Sequence, residues 1–571
     1  MAESSVPLSE FIMRPDTAAI TLRYNSFIET FINQHPYIRL GKLLTGNIAI
    51  AYVQRDRLTE LIRDIGEFYV SILSVVLGPL DLPDLEESGI LRLQQQPYLN
   101  LRGQGVLLGF IDTGIDYTLE HFRYEDGTSR IQSIWDQTIQ GDAPAGYFFG
   151  AEYGKAEIDA ALKSADPRAV VPHEDTVGHG TFLAGVAGGR GTGAAAGAAP
   201  DAEFVVVKLR KACPYYLEYY DVSPMQETAF ESADLMLGIE YIIERAAALG
   251  RPAAVCLSVG TNSGGHDGFT IMEEYLADIS FLQGVAVCAA AGNEAAARHH
   301  VQGRLEKQND AVSIEVTAGE FSDAIRMEIW NNPADRLSVS VKSPAGEIIS
   351  RLPAKSGTYF ETRLVLERSI VRINYFFPIE GSSSQLTVVR VLDPTPGIWT
   401  VTLYGDIVIN GEYHAWLPLT GFVDRDVEFL TPSPNCTVVV PATAIGVITC
   451  GAYRTSDKSL YPLSSWGPSR LPANVPDLTA PGVEAAGIFP GGRIGNMSGT
   501  SVAAALVTGA CALMLEWGIL KRNEISLNTY LIKANLIRGC DRDRDLVYPN
   551  NQWGYGRLNL YNTFYLLRGT I

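Results

Sequence analysis

The chain is poor in paired cysteine, in positive charge, in histidine and in long uncharged apolar runs. Each shortage removes a class of protein. It has 7 cysteines in 571 residues, an odd number with no C-x-x-C pair. Neither a disulfide framework nor a cysteine zinc site is therefore expected. Cys256, Cys288, Cys450 and Cys511 lie in apolar runs and read as small buried hydrophobes, which fits a reducing compartment. Lys plus Arg is 45 against 64 for Asp plus Glu, a net charge of −19. Without a basic excess to neutralise phosphates, nucleic acid is excluded as a main partner and an anionic membrane is disfavoured. No apolar run approaches 18 residues free of charge, so no membrane span is expected. The first residues, MAESSVPLSEFIMRPD, have no basic stretch followed by an apolar one, so no secretory signal is expected. Only 8 histidines occur, and none stands with cysteines or carboxylates at ligand spacing. The pair His299-His300 reads as surface, and no metal or cofactor is expected.

What is present is apolar mass and three short motifs. At 46% hydrophobic content over 571 residues, the chain can build large cores, and two or three domains are expected. Asp112 lies in FIDTGID, His179 in GHGTFLAG and Ser501 in SGTSVAAA. A serine hydroxyl is a weak nucleophile until a base takes its proton. That base needs a carboxylate to orient it. Each motif alone has an ordinary reading as a turn, a loop or a helix start. Their contexts agree with something more specific. GVLLGFI, residues 105–111, is a buried-strand pattern with Asp112 at its carboxyl end, where open α/β sheets place their sites. VAAALVTGACALMLEWG follows Ser501 and reads as a buried helix, whose N-terminus favours developing negative charge. GVAVCAAAGNE reads as a further strand ending in Gly292 and Asn293. The Asn293 amide and the Ser501 backbone N–H could both donate to an oxyanion.

DTGID from Asp112, GHGT around His179, AAGN ending at Asn293 and GTSVA around Ser501 together resemble the subtilases, the subtilisin-like serine proteases. PDLTAPG at 476–482 and GYGRLNL at 554–560 are further matches. The resemblance implies a parallel α/β sheet flanked by helices, an acyl-enzyme mechanism and protein substrates. It implies that Leu257, Ser258, Val259 and Gly260 line the substrate's unprimed side by backbone pairing. With Ala289, Ala290, Ala291 and Gly292 they would flank the specificity pocket. Two departures are visible: Phe182 stands where secreted members often have His, and Val502 where many have Met. GGRGTGAAAGAAP lacks their Asn-containing calcium loop. Asp116 is a candidate ligand or salt-bridge partner, but reads better as a turn carboxylate.

The spacings show where extra structure sits. Asp112 and His179 are 67 residues apart, His179 and Asn293 114, Asn293 and Ser501 208. Residues 1–82 show an α+β pattern: strands TAAITLRYN, IAIAYVQ and YVSILSVVLG, with helices NSFIETFINQ and RDRLTELIRDIG. Its position resembles the subtilase prodomain, a partner for the protease's own groove. Residues 79–104 read as a linker, with a processing site between about Gly78 and Glu87 by analogy with the family. The catalytic domain would run through 83–305 and resume at 433–571. Between these parts, eight or more alternating strands with turn signals suggest an inserted jelly-roll β-sandwich at 306–432. This layout, with FIDTGIDY, SIWDQTI and GHGTFLAG, is similar to the Csp proteases of clostridial spores. That resemblance implies limited proteolysis of a cortex-lytic enzyme precursor during germination, in a cytoplasmic or spore-associated setting. The alternative is a regulatory pseudoprotease whose prodomain stays in the groove.

Overall fold

The computed structural model describes residues 7–23, 37–58, 61, 72–79, 88–94, 96, 99–191, 196–471 and 473–568. At its centre is an eight-stranded sheet. From one edge to the other its strands are Leu478–Pro481, Ile448–Tyr453, Val285–Ala290, Ala253–Leu257, Leu107–Asp112, Glu203–Lys208, Ile131–Asp136 and Ala151–Gly154. All neighbours run parallel except the last pair, which is antiparallel. The strand carrying Asp112 shows why the sheet is covered on both faces. Leu108 and Phe110 pack into one core, and Leu107 and Ile111 into another, the alternation of a fully buried strand. Gly109 between them is needed for close packing: a Cβ there would lie 2.7 Å from Ile242 Cγ2 on the helix Ser232–Leu249.

The helix Thr500–Leu515 covers one face, with every residue buried. Thr500–Leu520 is long and apolar enough to cross a membrane by length and composition, against the expectation from charge-free runs. Yet 94% of its apolar window is buried inside the fold, as in the core helix of an α/β protein. The helix Ser232–Leu249 covers the other face.

The N-terminal segment forms a three-stranded antiparallel sheet, in the order Thr17–Arg23, Ile48–Gln54, Ile38–Leu44. The first two strands match the expectation; Ile38–Leu44 was not anticipated. The helix expected at NSFIETFINQ and most of RDRLTELIRDIG lie outside the described residues. Of the described part of the third expected strand, Leu73 keeps a single bridge to Ile20 of this sheet, and Val76–Pro79 is a strand that leaves it. It runs antiparallel between Val259–Gly260 and Phe230–Glu231. The expected linker also holds structure: Ile90–Gln94 is a short helix with Ile90 and Leu93 buried.

Residues 300–416 form two antiparallel sheets of six and four strands, which enclose their own apolar core. The first strand, His300–Arg304, begins ahead of residue 306. It corrects the reading of His299-His300 as surface, since both are buried. The His300 ring stacks on Trp416 at 4.8 Å, and His299 Nδ1 meets Glu294 Oε2 at 2.9 Å. Trp416 lies far away in sequence, so the local pattern gave no sign of it.

Candidate active site

Asp112, His179, Asn293 and Ser501 lie on elements that meet at the carboxyl ends of the central strands. Asp112 ends the strand Leu107–Asp112, and His179 opens the helix His179–Gly188. Two glycines permit this approach. Gly178, just before the helix, has φ +90°, a left-handed conformation that favours glycine. A Cβ on Gly180 would stand 2.2 Å from Gly114 O, so only glycine lets the helix sit against the Asp112 loop.

His179 Nδ1 contacts both Asp112 oxygens, Oδ1 at 2.7 Å and Oδ2 at 2.8 Å. Ser258 Oγ and the Thr113 N–H also donate to the Asp112 carboxylate. Burial would raise its pKa. The nearby His179 charge and these hydrogen bonds outweigh burial and hold the carboxyl below its ordinary value, so it is ionised at neutral pH. An ionised Asp112 at Nδ1 directs the free lone pair of a neutral ring to Nε2, the tautomer a general base requires.

Ser501 is the second residue of the helix Thr500–Leu515, so its N–H is among those without a partner inside the helix. Ser501 Oγ donates to Ser258 O at 3.1 Å. Asn293 Oδ1 accepts from the Thr500 N–H at 3.1 Å. That fixes the amide with Nδ2 on its other side. Gly292 N–H donates to Thr500 Oγ1 at 3.0 Å, which ties the end of the strand Val285–Ala290 to the start of the serine's helix.

The other expected site residues divide into two groups. Val259 and Gly260 pair through their backbones with Pro79 and Gly78. Leu257, Ala289, Ala290 and Ala291 are packed into the cores on either face of the sheet. Asp116 accepts from the Thr118 N–H and hydroxyl and from the Gly491 N–H, and so serves as a turn carboxylate. Among the described residues, no group of three or more His, Cys, Asp or Glu is arranged to hold a metal. Residues 192–195 of the segment after the His179 helix lie outside the described residues. All seven cysteines are free thiols.

Three supporting residues were missed in the sequence. Ser258 was assigned to the substrate groove, yet its side chain holds Asp112. Thr500 orients Asn293. Asp175 accepts from Thr113 Oγ1 at 2.8 Å and from the Gly178 and Thr181 N–H groups at 2.7 and 2.9 Å. It therefore joins the Asp112 loop to the His179 helix. An Asp four residues before a histidine that opens a helix is a capping signal that could have revealed it.

The antiparallel pairing of Val76–Pro79 lies alongside the Ser258–Gly260 edge. Asp112 and Ser501 are 0% exposed and His179 3%.

A sequence model of the subtilase family matches residues 103–328 and 430–556, more than half of the chain. The chain belongs to the subtilase family. Its fold is similar to the structure of the Clostridium perfringens CspB protease, with TM-score 0.75 and 31% sequence identity. The match covers 85% of this chain and 99% of that one. No curated protein matches it. The protein is a subtilisin-like serine endopeptidase related to Csp. Between its two parts the family match leaves out residues 329–429, which include most of the two-sheet insert.

Proposed function

We propose that Ser501 is the nucleophile, His179 the general base and Asp112 its orienting carboxylate. The Asn293 Nδ2 and Ser501 N–H groups are the oxyanion donors. The observation that carries this reading is the Asp112–His179 pair beside a strand-paired peptide segment. For reaction, the Ser501 hydroxyl turns from Ser258 O toward His179 Nε2, which takes its proton. Oγ bonds to the scissile carbonyl carbon and the carbonyl oxygen gains the charge that the two donors stabilise. His179 then gives the proton to the departing amine nitrogen, and the C–N bond breaks. Water, activated by the same imidazole, hydrolyses the acyl-serine.

The first substrate in this reading is the chain itself. Residues 1–82 act as a prodomain, cut between Gly78 and Glu87, close after Pro79. The segment already lies in the extended pairing that a substrate backbone would adopt. The enzyme then performs limited proteolysis on a second protein. The similarity to CspB supports a cortex-lytic enzyme precursor as that protein, in a cytoplasmic or spore-associated setting. The insert is read as a jelly-roll that braces the catalytic domain. The complete burial of Ser501 favours one alternative, a regulatory pseudoprotease that keeps its prodomain as a plug.

Asn293→Ala tests the chemistry. It should leave KM nearly unchanged and lower kcat by about 10²–10³, the magnitude measured for such a donor in subtilisin itself. Steady-state peptide hydrolysis reads both constants. An unchanged kcat would remove Asn293 from the site.

A further inference from the structure

A cavity of about 80 Å³ lies where the N-terminal segment, the catalytic fold and the two-sheet insert meet. Val75 lines it from the first, Tyr219 and Tyr220 from the second, and Arg326, Glu328 and Trp330 from the third. Val75 continues the pairing that fills the groove. Its N–H donates to Ser232 Oγ at 3.0 Å, and the Ser232 N–H donates to Val75 O at 2.9 Å. A substrate bound as this segment is bound would therefore place one side chain at the cavity wall.

Two residues of the insert at that wall carry unsatisfied donors. Arg326 and Trp330 are each 4% exposed. Arg326 Nη1 donates to Tyr219 O at 2.8 Å and Nη2 to Glu328 Oε1 at 3.2 Å. Arg326 Nε and Trp330 Nε1 have no acceptor among the described residues. Buried donors normally find partners, and two that border one cavity point to an acceptor that belongs there. The space holds a few waters or the end of a long side chain. Its charges favour a neutral acceptor. Arg326 is already paired with Glu328, and Asp267 with Arg470. The nearby Glu380 is likewise paired, with Arg23 of the N-terminal segment.

We infer that this cavity is a substrate subsite shared by the catalytic fold and the insert. It takes a long side chain ending in a neutral hydrogen-bond acceptor, glutamine above all, at the position Val75 now holds. The inference rests on the endopeptidase reading, and its test separates the two.

Quenched fluorescent peptides copying residues 72–87 are offered to the self-processed protein, with Val or Gln at position 75. A peptide copying residues 77–87 lacks the position and serves as control. The Gln peptide should be cut with a kcat/KM about tenfold above the Val peptide. Trp330→Phe, which keeps a ring and loses the N–H, should abolish that preference and leave the short peptide unaffected. Equal kcat/KM for Val and Gln, or an equal loss on the short peptide, would overturn the subsite. If no peptide is cut, the trans-acting endopeptidase reading fails, and thermal unfolding of the full chain decides the subsite instead. Val75→Gln should then raise Tm by more in the wild type than in Trp330→Phe. Equal shifts in the two backgrounds would reject it.

Discussion

The N-terminal segment and the two-sheet insert both lean on the catalytic fold, but they are attached by different forces. Apolar side chains of the N-terminal segment merge with the catalytic cores. Ala18, Ile20 and Val53 belong to the cluster on one face of the central sheet, and Phe11, Ile50 and Leu77 to the cluster on the other. The insert instead keeps a core of its own. Apart from a small cluster joining Trp330 and Trp416 to Cys436, it meets the catalytic fold through directional contacts. Arg390 Nε donates to Asp221 Oδ2 at 2.7 Å. Arg470, paired with Asp267 inside the catalytic fold, donates across to Ser384 Oγ of the insert at 2.9 Å. The His266 ring stacks on Trp416 at 4.2 Å. Apolar burial is tolerant of geometry and can be re-formed by another chain, as suits a segment that is cut and displaced. Ion pairs and stacked rings fix one orientation, as suits a brace.

The insert's docking is largely polar, so single charges should matter most. Arg390 of the insert and Asp221 of the catalytic fold have side chains 14% and 9% exposed. Arg390→Met leaves Asp221 largely buried without its partner and should cost about 3 kcal/mol, read from urea unfolding. A loss below about 1 kcal/mol would mean the pair is not what holds the insert. Ile50→Ala probes the other attachment. Ile50 is fully buried, and its truncation should cost about 2–4 kcal/mol. It should also raise hydrolysis of an added peptide, because the weakened segment leaves the groove more often; Arg390→Met should not. Equal effects of the two variants on peptide hydrolysis would erase the distinction drawn between the regions.

The smallest effect depends on pH and lies on the insert's side. Burial, then repulsion from Asp267, raises the Glu273 carboxyl to about 7. The folded chain thus holds this proton over a range where the unfolded chain releases it. Stability from this group rises as pH falls from about 7 toward 4.5, and the full burial cost is felt above pH 7. Glu273→Gln removes the charge. Its stability relative to wild type should therefore be more favourable at pH 8 than at pH 5, by up to about 3 kcal/mol. The same difference at both pH values would show that Glu273 stays ionised in the fold.

Much of the catalytic region could be read in the sequence, because its chemistry is concentrated in short motifs on strongly patterned elements. The apolar run before Asp112 and the Ala-rich helix after Ser501 each declared their type locally. So did the alternating strands between Asn293 and Ser501. The misses have two causes. Ile38–Leu44 contains Gly41 and alternates poorly, and its pairing with Ile48–Gln54 makes it a strand. Ile90–Gln94 is helical because Ile90 and Leu93 find the catalytic core. His300 is buried by Trp416, which lies across the insert. Arg326 and Trp330 border the cavity only because the insert folds back onto the catalytic fold. For Ile38–Leu44 the partner is the next strand and the weak alternation hid it; in the other cases the deciding partner is remote in sequence, and periodicity carries no record of it.

The central claim is that Ser501 cuts the chain close after the strand that fills its own groove. Intact mass of purified wild type against Ser501→Ala tests it most directly. The wild type should show two fragments that sum to the full chain, with the break between Gly78 and Glu87, and Ser501→Ala should remain a single chain of full mass. The same break in Ser501→Ala, purified free of other proteases, would contradict the account, as would a wild type that stays whole.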